Sequence, residues 1–310
     1  MQQITDTVIM VRPVAFRMNE QTAVNNYFQE DIDLKNAEIN KKAQHEFDSF
    51  VAKLRGAGAK VLVIEDDADL DTPDSIFPNN WISTHDNGDV AVYPMYAENR
   101  RKERREVFFA KMEDAGYLIN NIIDYTEAEQ EELFLEGTGS IVLDRVNEKA
   151  YCALSARADE GLFIEFCEDF GYFPVIFTAY QNVDGKRLPI YHTNVMMCMA
   201  EKFCVICLSS IDDKKERNSV LDHLKESNKE IIAITEKQMH RFAGNMLQIK
   251  NKKGKKYLVM STAAYSSLES EQIEAIEKHC EILHSDIQTI ETCGGGSARC
   301  MMAEVFLPKK

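Results

Sequence analysis

The feature that most constrains the fold is a pattern that recurs along the whole chain. A short apolar strand is followed by a charge-rich segment of helical period and then by a second strand. Four copies begin at residues 90, 150, 203 and 256, so their starts lie about 53 to 60 residues apart. A further copy fits the N-terminus, with predicted strands at 7–11 and 60–65 around a predicted helix at 36–56. One such unit cannot bury its apolar face alone, so five copies predict one closed α/β assembly with strands inside and helices outside.

The bounds of the predicted elements follow from hydrophobic periodicity. In the four later copies the first strands are predicted at 90–95, 150–155, 203–209 and 256–261, the helices at 101–115, 159–170, 213–226 and 269–283, and the closing strands at 117–125, 172–178, 230–235 and 286–290. No linker interrupts the series, which predicts a single catalytic domain over residues 1–310. Two dinucleotide-binding halves are the structural alternative, but no G-x-G-x-x-G follows a predicted strand.

Charge and hydropathy exclude several classes of partner. A formal net charge of -15 repels phosphate backbones and acidic membrane surfaces, which argues against nucleic acid and membrane partners. The one lysine cluster, at 250–256, contains Gly254 and is interpreted as a solvated hairpin turn. No apolar run reaches the length of about eighteen residues that a membrane span needs. We expect a cytoplasmic protein, and whether it forms a homo-oligomer is left open.

Eight cysteines in 310 residues are too few for a disulfide scaffold and fit a reducing cytoplasm. Cys204 and Cys207 form a C-x-x-C inside an apolar run, which is interpreted as a buried strand; a redox or zinc site is the alternative. Because no second cysteine pair or paired histidines complete a metal site, neither a metal nor another cofactor is predicted.

The most unusual segment is the glycine-rich stretch 294–302, which contains Cys300. Three consecutive glycines allow close backbone approach to a ligand, and they place Cys300 at the start of a predicted last strand, 301–307. A nucleophilic cysteine needs its thiolate stabilised by N–H groups or positive charge. The alternative interpretation is a packed cysteine in a loop that enters a core strand.

Three other polar positions stand out. His192 and Asn194 are predicted to share one face of a strand, where a histidine bonded to a backbone carbonyl is the simpler alternative. Glu136 follows an apolar run and precedes a glycine pair. Asn79 and Asn80 lie beside Trp81 and are candidate substrate-binding residues, although on their own such asparagines are more typical of turns than of ligands.

Together these segments resemble the guanidino-group-modifying (pentein) superfamily, which includes arginine deiminases, dimethylarginine hydrolases, agmatine deiminases and amidinotransferases. Residues 73–81, Glu136-Gly137-x-Gly139, His192-x-Asn194 and 294–301 are similar to its motifs, in the same order. Segments 189–198 and 242–247 look most like bacterial amidinotransferase-like citrulline utilisation hydrolases. The resemblance implies five ββαβ modules around a pseudo-fivefold axis, with the site in the central channel.

The resemblance also implies roles for individual residues. Cys300 would attack the planar carbon of a small substrate, and His192 would donate a proton to the leaving nitrogen and then activate water. Glu136 would orient His192 and bind a substrate nitrogen. Arg157 is similar to an arginine that grips the substrate carboxylate, although surface solvation would also explain it. Asn245, in the loop 243–245, would border the substrate.

Two departures from arginine deiminases bear on the substrate. Asn80 and Asn194 stand where those enzymes carry acidic residues that clamp a guanidinium. An asparagine amide offers both a donor and an acceptor, which suits a neutral ureido group. The prediction is therefore hydrolysis of citrulline to ornithine, ammonia and carbon dioxide, with an arginine deiminase or an amidinotransferase as the related alternative.

One alternative belongs to another class. The same fold serves ribosome-binding factors that are not enzymes, but the acidic charge and the four motifs argue against that function. Cys293, seven residues before Cys300, is interpreted as a bystander thiol, with a regulatory disulfide as the alternative.

Overall fold

The computed structural model describes all 310 residues. Its strands are β1 (Thr7–Arg12), β2 (Lys60–Glu65), β3 (Ile82–Thr84), β4 (Asp89–Val92), β5 (Asn121–Asp124), β6 (Ile141–Asp144), β7 (Lys149–Leu154), β8 (Phe173–Thr178), β9 (Tyr180–Val183), β10 (Lys186–Pro189), β11 (Met197–Met199), β12 (Phe203–Ile206), β13 (Glu230–Ala233), β14 (Leu247–Lys250), β15 (Lys256–Ser261), β16 (Glu281–Ser285) and β17 (Ala303–Glu304).

The helices connect these strands. They are α1 (Glu20–Ala23), α2 (Asn36–Gly56), α3 (Val107–Asp114), α4 (Gly137–Ser140), α5 (Glu160–Phe170), α6 (Thr193–Met196), α7 (Lys214–Glu226), α8 (Glu236–Met239), α9 (Thr262–Tyr265), α10 (Ser270–Glu277) and α11 (Gln288–Gly294). Four short 3₁₀ helices lie at Pro78–Asn80, Glu98–Glu103, Thr126–Glu131 and Leu208–Ser210.

Five three-stranded sheets share one topology, and β9 and β10 form a separate hairpin. In each sheet a central strand pairs antiparallel with one neighbour and parallel with the other; the central strands are β1, β4, β7, β12 and β15. A parallel pair requires a crossover connection, and α2, α3, α5, α7 and α10 lie in these crossovers. The result is a mixed α/β fold whose sheet number equals the predicted number of copies.

Helix α5 illustrates why the crossover segments are helical. Asp159 caps its N-terminus by accepting a hydrogen bond from the Leu162 N–H, and Gly171 ends it in the left-handed conformation at φ 69°. Phe163, Phe166 and other apolar residues on one face are buried against the sheet. The chemical pattern of the sequence therefore specifies this crossover, and the predicted helix 159–170 is confirmed.

The predicted bounds or types of some elements are wrong in two of the five copies. The helix predicted at 101–115 begins as the 3₁₀ helix Glu98–Glu103, because Arg100 and Glu103 turn inward and bury their charges together, and α3 starts only at Val107. The helix predicted at 269–283 ends at Glu277. Residues 281–285 form β16 beside β15, and the predicted strand 286–290 is wrong because α11 begins at Gln288.

The two ends of the chain meet in one sheet, because β17 pairs with β1. The strand predicted at 301–307 shortens to two residues, since the preceding turn extends through Met301. The C-x-x-C prediction is confirmed as a buried strand end, with Cys204 in β12, and the lysine cluster forms the hairpin tip between β14 and β15. No helix combines the length and the apolar character required to cross a membrane.

Candidate active site

The polar residues singled out in the sequence occupy one equivalent place in the repeat, just ahead of the first strand of a sheet. Asn80 precedes β3, Glu136 precedes β6, His192 and Asn194 precede β11, Asn245 precedes β14, and Cys300 precedes β17. The short helix α4 packs against both the turn Pro78–Asn80 and α6. Residues far apart in the chain are therefore brought together by the repeat itself.

His192 and Glu136 form a buried pair, with His192 Nε2 2.8 Å from Glu136 Oε2. The predicted strand around His192 is wrong: His192 sits at the N-terminus of α6, and Asn194 lies within that helix. Thr193 accounts for the turn, because its hydroxyl donates to the Ser140 carbonyl and accepts from the Ala153 N–H. The turn anchors the imidazole next to Glu136 without any help from strand pairing.

The charges around the pair set its protonation. Burial alone would raise the pKa of Glu136, but Arg157, His192 and Arg100 together lower that pKa to about 2. Burial lowers the pKa of His192 to about 4, because it outweighs the opposing effect of Glu136. At neutral pH the site therefore holds an ionised carboxylate and a neutral imidazole, which is able to accept a proton.

The thiol of Cys300 is 2% exposed and lies beside two amide donors. Asn245 Nδ2 is 3.2 Å and Asn194 Nδ2 is 3.6 Å from its sulfur. Two N–H donors directed at one sulfur stabilise negative charge there. Burial raises the pKa of Cys198 to about 12 and that of Cys293 to about 11, and all eight cysteines are free thiols.

The two adjacent asparagines have different surroundings. Asn80 Oδ1 accepts a hydrogen bond of 2.8 Å from Arg100, which leaves Asn80 Nδ2 buried without a partner at the wall of a cavity. Asn79 faces the other way and donates to the Thr138 hydroxyl at 3.3 Å. Of the pair, Asn80 lines the cavity, and Asn79 links its turn to α4.

Arg157 is buried, so its interpretation as a solvated surface residue is wrong. Its guanidinium donates to the Thr22 carbonyl at 2.9 Å and to Asn25 Oδ1, and Nη1 lies 3.5 Å from Glu136. These contacts connect the His192–Glu136 pair with the segment around α1. That segment forms one wall of the site.

Asp74 and Arg100 line the cavity but were not predicted as site residues. Asp74 Oδ2 accepts from Asn19 and Thr22, whereas Oδ1 is buried without a partner. Burial raises the pKa of Asp74 despite the proximity of Arg100. Asp74 lies inside the recognised segment 73–81 and could have been found there; Arg100 lies in a charge-rich run that gives no such signal.

The cavity between these residues has a volume of about 10 Å³ and is lined by Asn80, Arg157, His192 and Cys300 among others. This is about the space that one water molecule needs. Asn26 closes one side by approaching the Gly294 and Gly295 carbonyls at 3.4 Å. A cavity of this volume is too small to hold an amino acid. No group of three or more histidine, cysteine, aspartate or glutamate side chains is arranged to hold a metal ion.

Comparison with known proteins shows which family and fold this chain resembles. Residues 12–307 match the family described as N,N dimethylarginine dimethylhydrolase, eukaryotic. The chain aligns with ArgZ, an arginine dihydrolase from the ornithine-ammonia cycle in cyanobacteria, at 14% identity and a TM-score of 0.74, over 98% of this chain and 41% of ArgZ. It thus spans about two fifths of that protein.

Two further solved structures cover almost the same length as this chain. The N-terminal domain of ArgZ, covalently bound to a reaction intermediate, is 15% identical with a TM-score of 0.71, over 97% of this chain and 99% of the domain. A dimethylarginine dimethylaminohydrolase adduct with S-methyl-L-thiocitrulline is 13% identical with a TM-score of 0.64, over 97% of this chain and 99% of the hydrolase chain. No curated protein is significantly similar in sequence.

The fold and the family match define a member of the guanidino-group-modifying pentein superfamily. Within it, the chain belongs to the dimethylarginine dimethylhydrolase family, because the family model matches nearly its whole length. The structural neighbours, at 13–15% identity, establish the fold alone.

Proposed function

We propose that this protein is a hydrolase that breaks a C–N bond of a ureido or guanidino group through a covalent intermediate on Cys300. The observation that carries the proposal is the convergence of Cys300, His192 and Asn80 on one buried cavity, with Glu136 bonded to His192. We also infer that the five sheets form one domain around a pseudo-fivefold axis, which acts in the cytoplasm on a small molecule.

The first step forms a bond between Cys300 sulfur and the planar substrate carbon. The thiol proton passes to His192, which is neutral beforehand because burial lowers its pKa to about 4. His192 then gives that proton to the nitrogen whose bond to carbon breaks. Glu136, ionised throughout, stabilises the imidazolium that exists between the two transfers.

The second step regenerates the thiol. A water molecule attacks the carbon bound to Cys300, and His192, again neutral, accepts its proton. The sulfur leaves with that proton, and the carbon is released as a carbamic acid that still carries one nitrogen. This carbamic acid breaks its remaining C–N bond by losing carbon dioxide. For citrulline and one water, the balanced products are ornithine, ammonia and carbon dioxide.

The orientation of Asn80 supports citrulline as the substrate. Because Asn80 Oδ1 already accepts from Arg100, the unpartnered group that the amide offers to the cavity is its Nδ2 donor. A ureido oxygen accepts such a bond, whereas every terminal group of a guanidinium is a donor. The orientation therefore favours a ureido carbon over a guanidinium.

The unpartnered oxygen of Asp74 supports a second candidate, an arginine hydrolase. An ionised Asp74 would pair with a guanidinium, and a protonated one would suit a neutral ureido group. Burial raises the pKa of Asp74, which favours the protonated form and the ureido substrate. Arg157 remains our candidate for the substrate carboxylate, and it would have to exchange Asn25 and the Thr22 carbonyl for that ligand.

The deciding experiment incubates the purified protein separately with citrulline, arginine, agmatine and N,N-dimethylarginine. Ornithine and ammonia from citrulline are the expected products, and Cys300→Ser should abolish them. Conversion of arginine to citrulline, with no further breakdown of that citrulline, would refute the proposed substrate. Absence of turnover with all four compounds, together with no selective labelling of Cys300 by a haloacetamidine, would refute the enzymatic function.

A further inference from the structure

The segment 295–300, which ends at Cys300, is bonded at alternate residues by three side chains from outside it. They are those of Tyr191, Glu291 and Asn245, which bond Gly295, Ser297 and Arg299 in turn. Asn245 already belongs to the site because it also donates to the thiol, and Glu291 lies in α11, the helix that leads into the segment. Tyr191 comes from a distant part of the chain, next to His192.

The hydroxyl of Tyr191 makes a short, buried hydrogen bond. It donates to the Gly295 carbonyl at 2.5 Å, and Tyr191 is 4% exposed. Burial raises the pKa of Tyr191 well above its usual value, so the hydroxyl stays protonated and remains a donor. Gly295 caps the end of α11 in the left-handed conformation at φ 60°, and the other donor to its carbonyl is the Asn26 amide at 3.4 Å. The tyrosine hydroxyl is therefore the closer of the two donors that hold this turn.

Tyr191 and Asn194 lie on either side of His192 in the chain, and each bonds one end of the segment 295–300. Tyr191 bonds the first residue of the segment, and Asn194 Nδ2 lies 3.6 Å from the Cys300 sulfur at its other end. No hydrogen bond joins the thiol directly to the imidazole. The residues that flank the histidine therefore tie the thiol segment to the backbone that carries the imidazole.

The ring and the backbone of Tyr191 have further contacts that do not involve its hydroxyl. The ring centroid lies 5.0 Å from the Arg157 guanidinium carbon and 4.6 Å from the centroid of the His192 ring. The Tyr191 carbonyl accepts from the Ser155 hydroxyl at 2.8 Å. Phenylalanine would keep these contacts and lose only the bond to Gly295. The contribution of the hydroxyl can therefore be measured on its own.

We propose that Tyr191 is a positioning residue, whose hydroxyl holds the segment 295–300 so that the Cys300 thiol can pass its proton to His192. This inference rests on the proposed function, in which that transfer creates the nucleophile. Proton transfer requires hydrogen-bonding distance, and a misplacement of about 1 Å can slow a reaction by roughly a hundredfold. Tyr191 acts only through the backbone, because it bonds the turn at the start of the segment and not the thiol.

The test compares Tyr191→Phe with the wild type and uses Tyr117→Phe as the matched control. Tyr117 is also buried and donates its hydroxyl to Thr7 at 2.7 Å, but it does not line the cavity. In Tyr191→Phe the kcat for citrulline should fall by roughly tenfold to a hundredfold. KM should stay unchanged, since the contact of the ring with Arg157 remains. Tyr117→Phe should keep the kcat of the wild type.

Alkylation of Cys300 by iodoacetamide gives a readout that needs no turnover. At pH 7 it should be roughly tenfold slower in Tyr191→Phe and unchanged in Tyr117→Phe, because a displaced thiol gives up its proton to the imidazole less readily. The difference should disappear in alkaline solution, where hydroxide removes that proton directly. A wild type that turns over none of the four compounds would refute the proposed function, and the labelling comparison would still decide the role of Tyr191.

Rates are compared per folded molecule, determined from the thermal unfolding of each variant, so that a change in stability alone does not register. Equal alkylation rates at pH 7 in the wild type and Tyr191→Phe would overturn the inference. The same loss of kcat in Tyr117→Phe would also overturn it. So would a raised KM with a normal kcat, because that result would assign Tyr191 to substrate binding.

Discussion

Substitution of Asn80 by aspartate tests the substrate assignment, because it changes one donor into an acceptor at the wall of the cavity. Asn80 Nδ2 is the atom of this side chain that has no partner, whereas Oδ1 already accepts from Arg100 at 2.8 Å. The new carboxylate would keep the Arg100 contact, so we expect Asn80→Asp to fold.

The expected change can be estimated from hydrogen-bond energies. Leaving the buried ureido oxygen without a donor costs about 1–3 kcal/mol, which lowers kcat/KM for citrulline by roughly 5- to 150-fold. A charge-assisted bond from a guanidinium to the new carboxylate contributes about 1.5–3 kcal/mol in the opposite direction. The preference for citrulline over arginine should therefore fall by a factor on the order of 10³.

The assay measures kcat/KM for both substrates by the ornithine, citrulline and ammonia formed. Asn79→Asp is the matched control, because the amide of Asn79 bonds Thr138 and does not line the cavity. It should leave the ratio of the two kcat/KM values unchanged. Equal losses on both substrates in Asn80→Asp, or the same shift of preference in Asn79→Asp, would refute the reasoning.

Three further predictions concern neighbouring residues. Gly139→Ala should lower kcat strongly without unfolding the protein, because a Cβ there would lie 2.4 Å from Asn80 Nδ2 and 2.8 Å from the His192 ring; normal kcat would contradict this. Asn245→Ala should slow alkylation of Cys300 by roughly tenfold, as expected for the loss of one hydrogen bond to a charged sulfur, measured by iodoacetamide labelling across pH. Burial raises the pKa of Glu291 from 4.5 to about 7 in the folded protein. The stability that the protonated carboxyl contributes is therefore lost as pH rises between those values. Thermal unfolding measured from pH 5 to pH 8 should therefore show Glu291→Gln becoming more stable than the wild type, by up to about 3 kcal/mol in the free energy of unfolding. A difference that stays constant with pH would contradict the prediction.

Much of the fold was predictable because each crossover helix carries its own chemical signals. Asp159 and Asp213 stand where N-terminal caps are needed, and the predicted helices at 159–170 and 213–226 begin within one residue of these caps. The failures occurred where tertiary contacts overrode the pattern. Ile282 and Leu283 fit both a helix and a strand, and only pairing with β15 selects the strand.

The site was less predictable than the fold. The side chains of Cys300, His192 and Glu136 could be proposed from motifs, but their backbone could not, because His192 immediately precedes a four-residue helix that hydrophobic periodicity cannot detect. Arg100 could not be predicted as a site residue, because its sequence neighbourhood does not mark it as one. It lies in a charge-rich segment typical of a solvated surface, and only its burial beside Glu103 and Asn80 shows that it faces the site.

The location of the site follows from the repeat. In every copy the chain enters a sheet through a short turn ahead of the first strand, and such a turn is free of the pairing that fixes strand side chains. Glycines keep these turns close together: a Cβ on Gly244 would lie 2.2 Å from the Val195 carbonyl oxygen, and one on Gly294 would lie 2.7 Å from Phe77. The packing that brings the five turns together is therefore what holds Cys300 within hydrogen-bonding reach of Asn194 and Asn245. A substitution that separates these turns should abolish activity while leaving the five sheets folded.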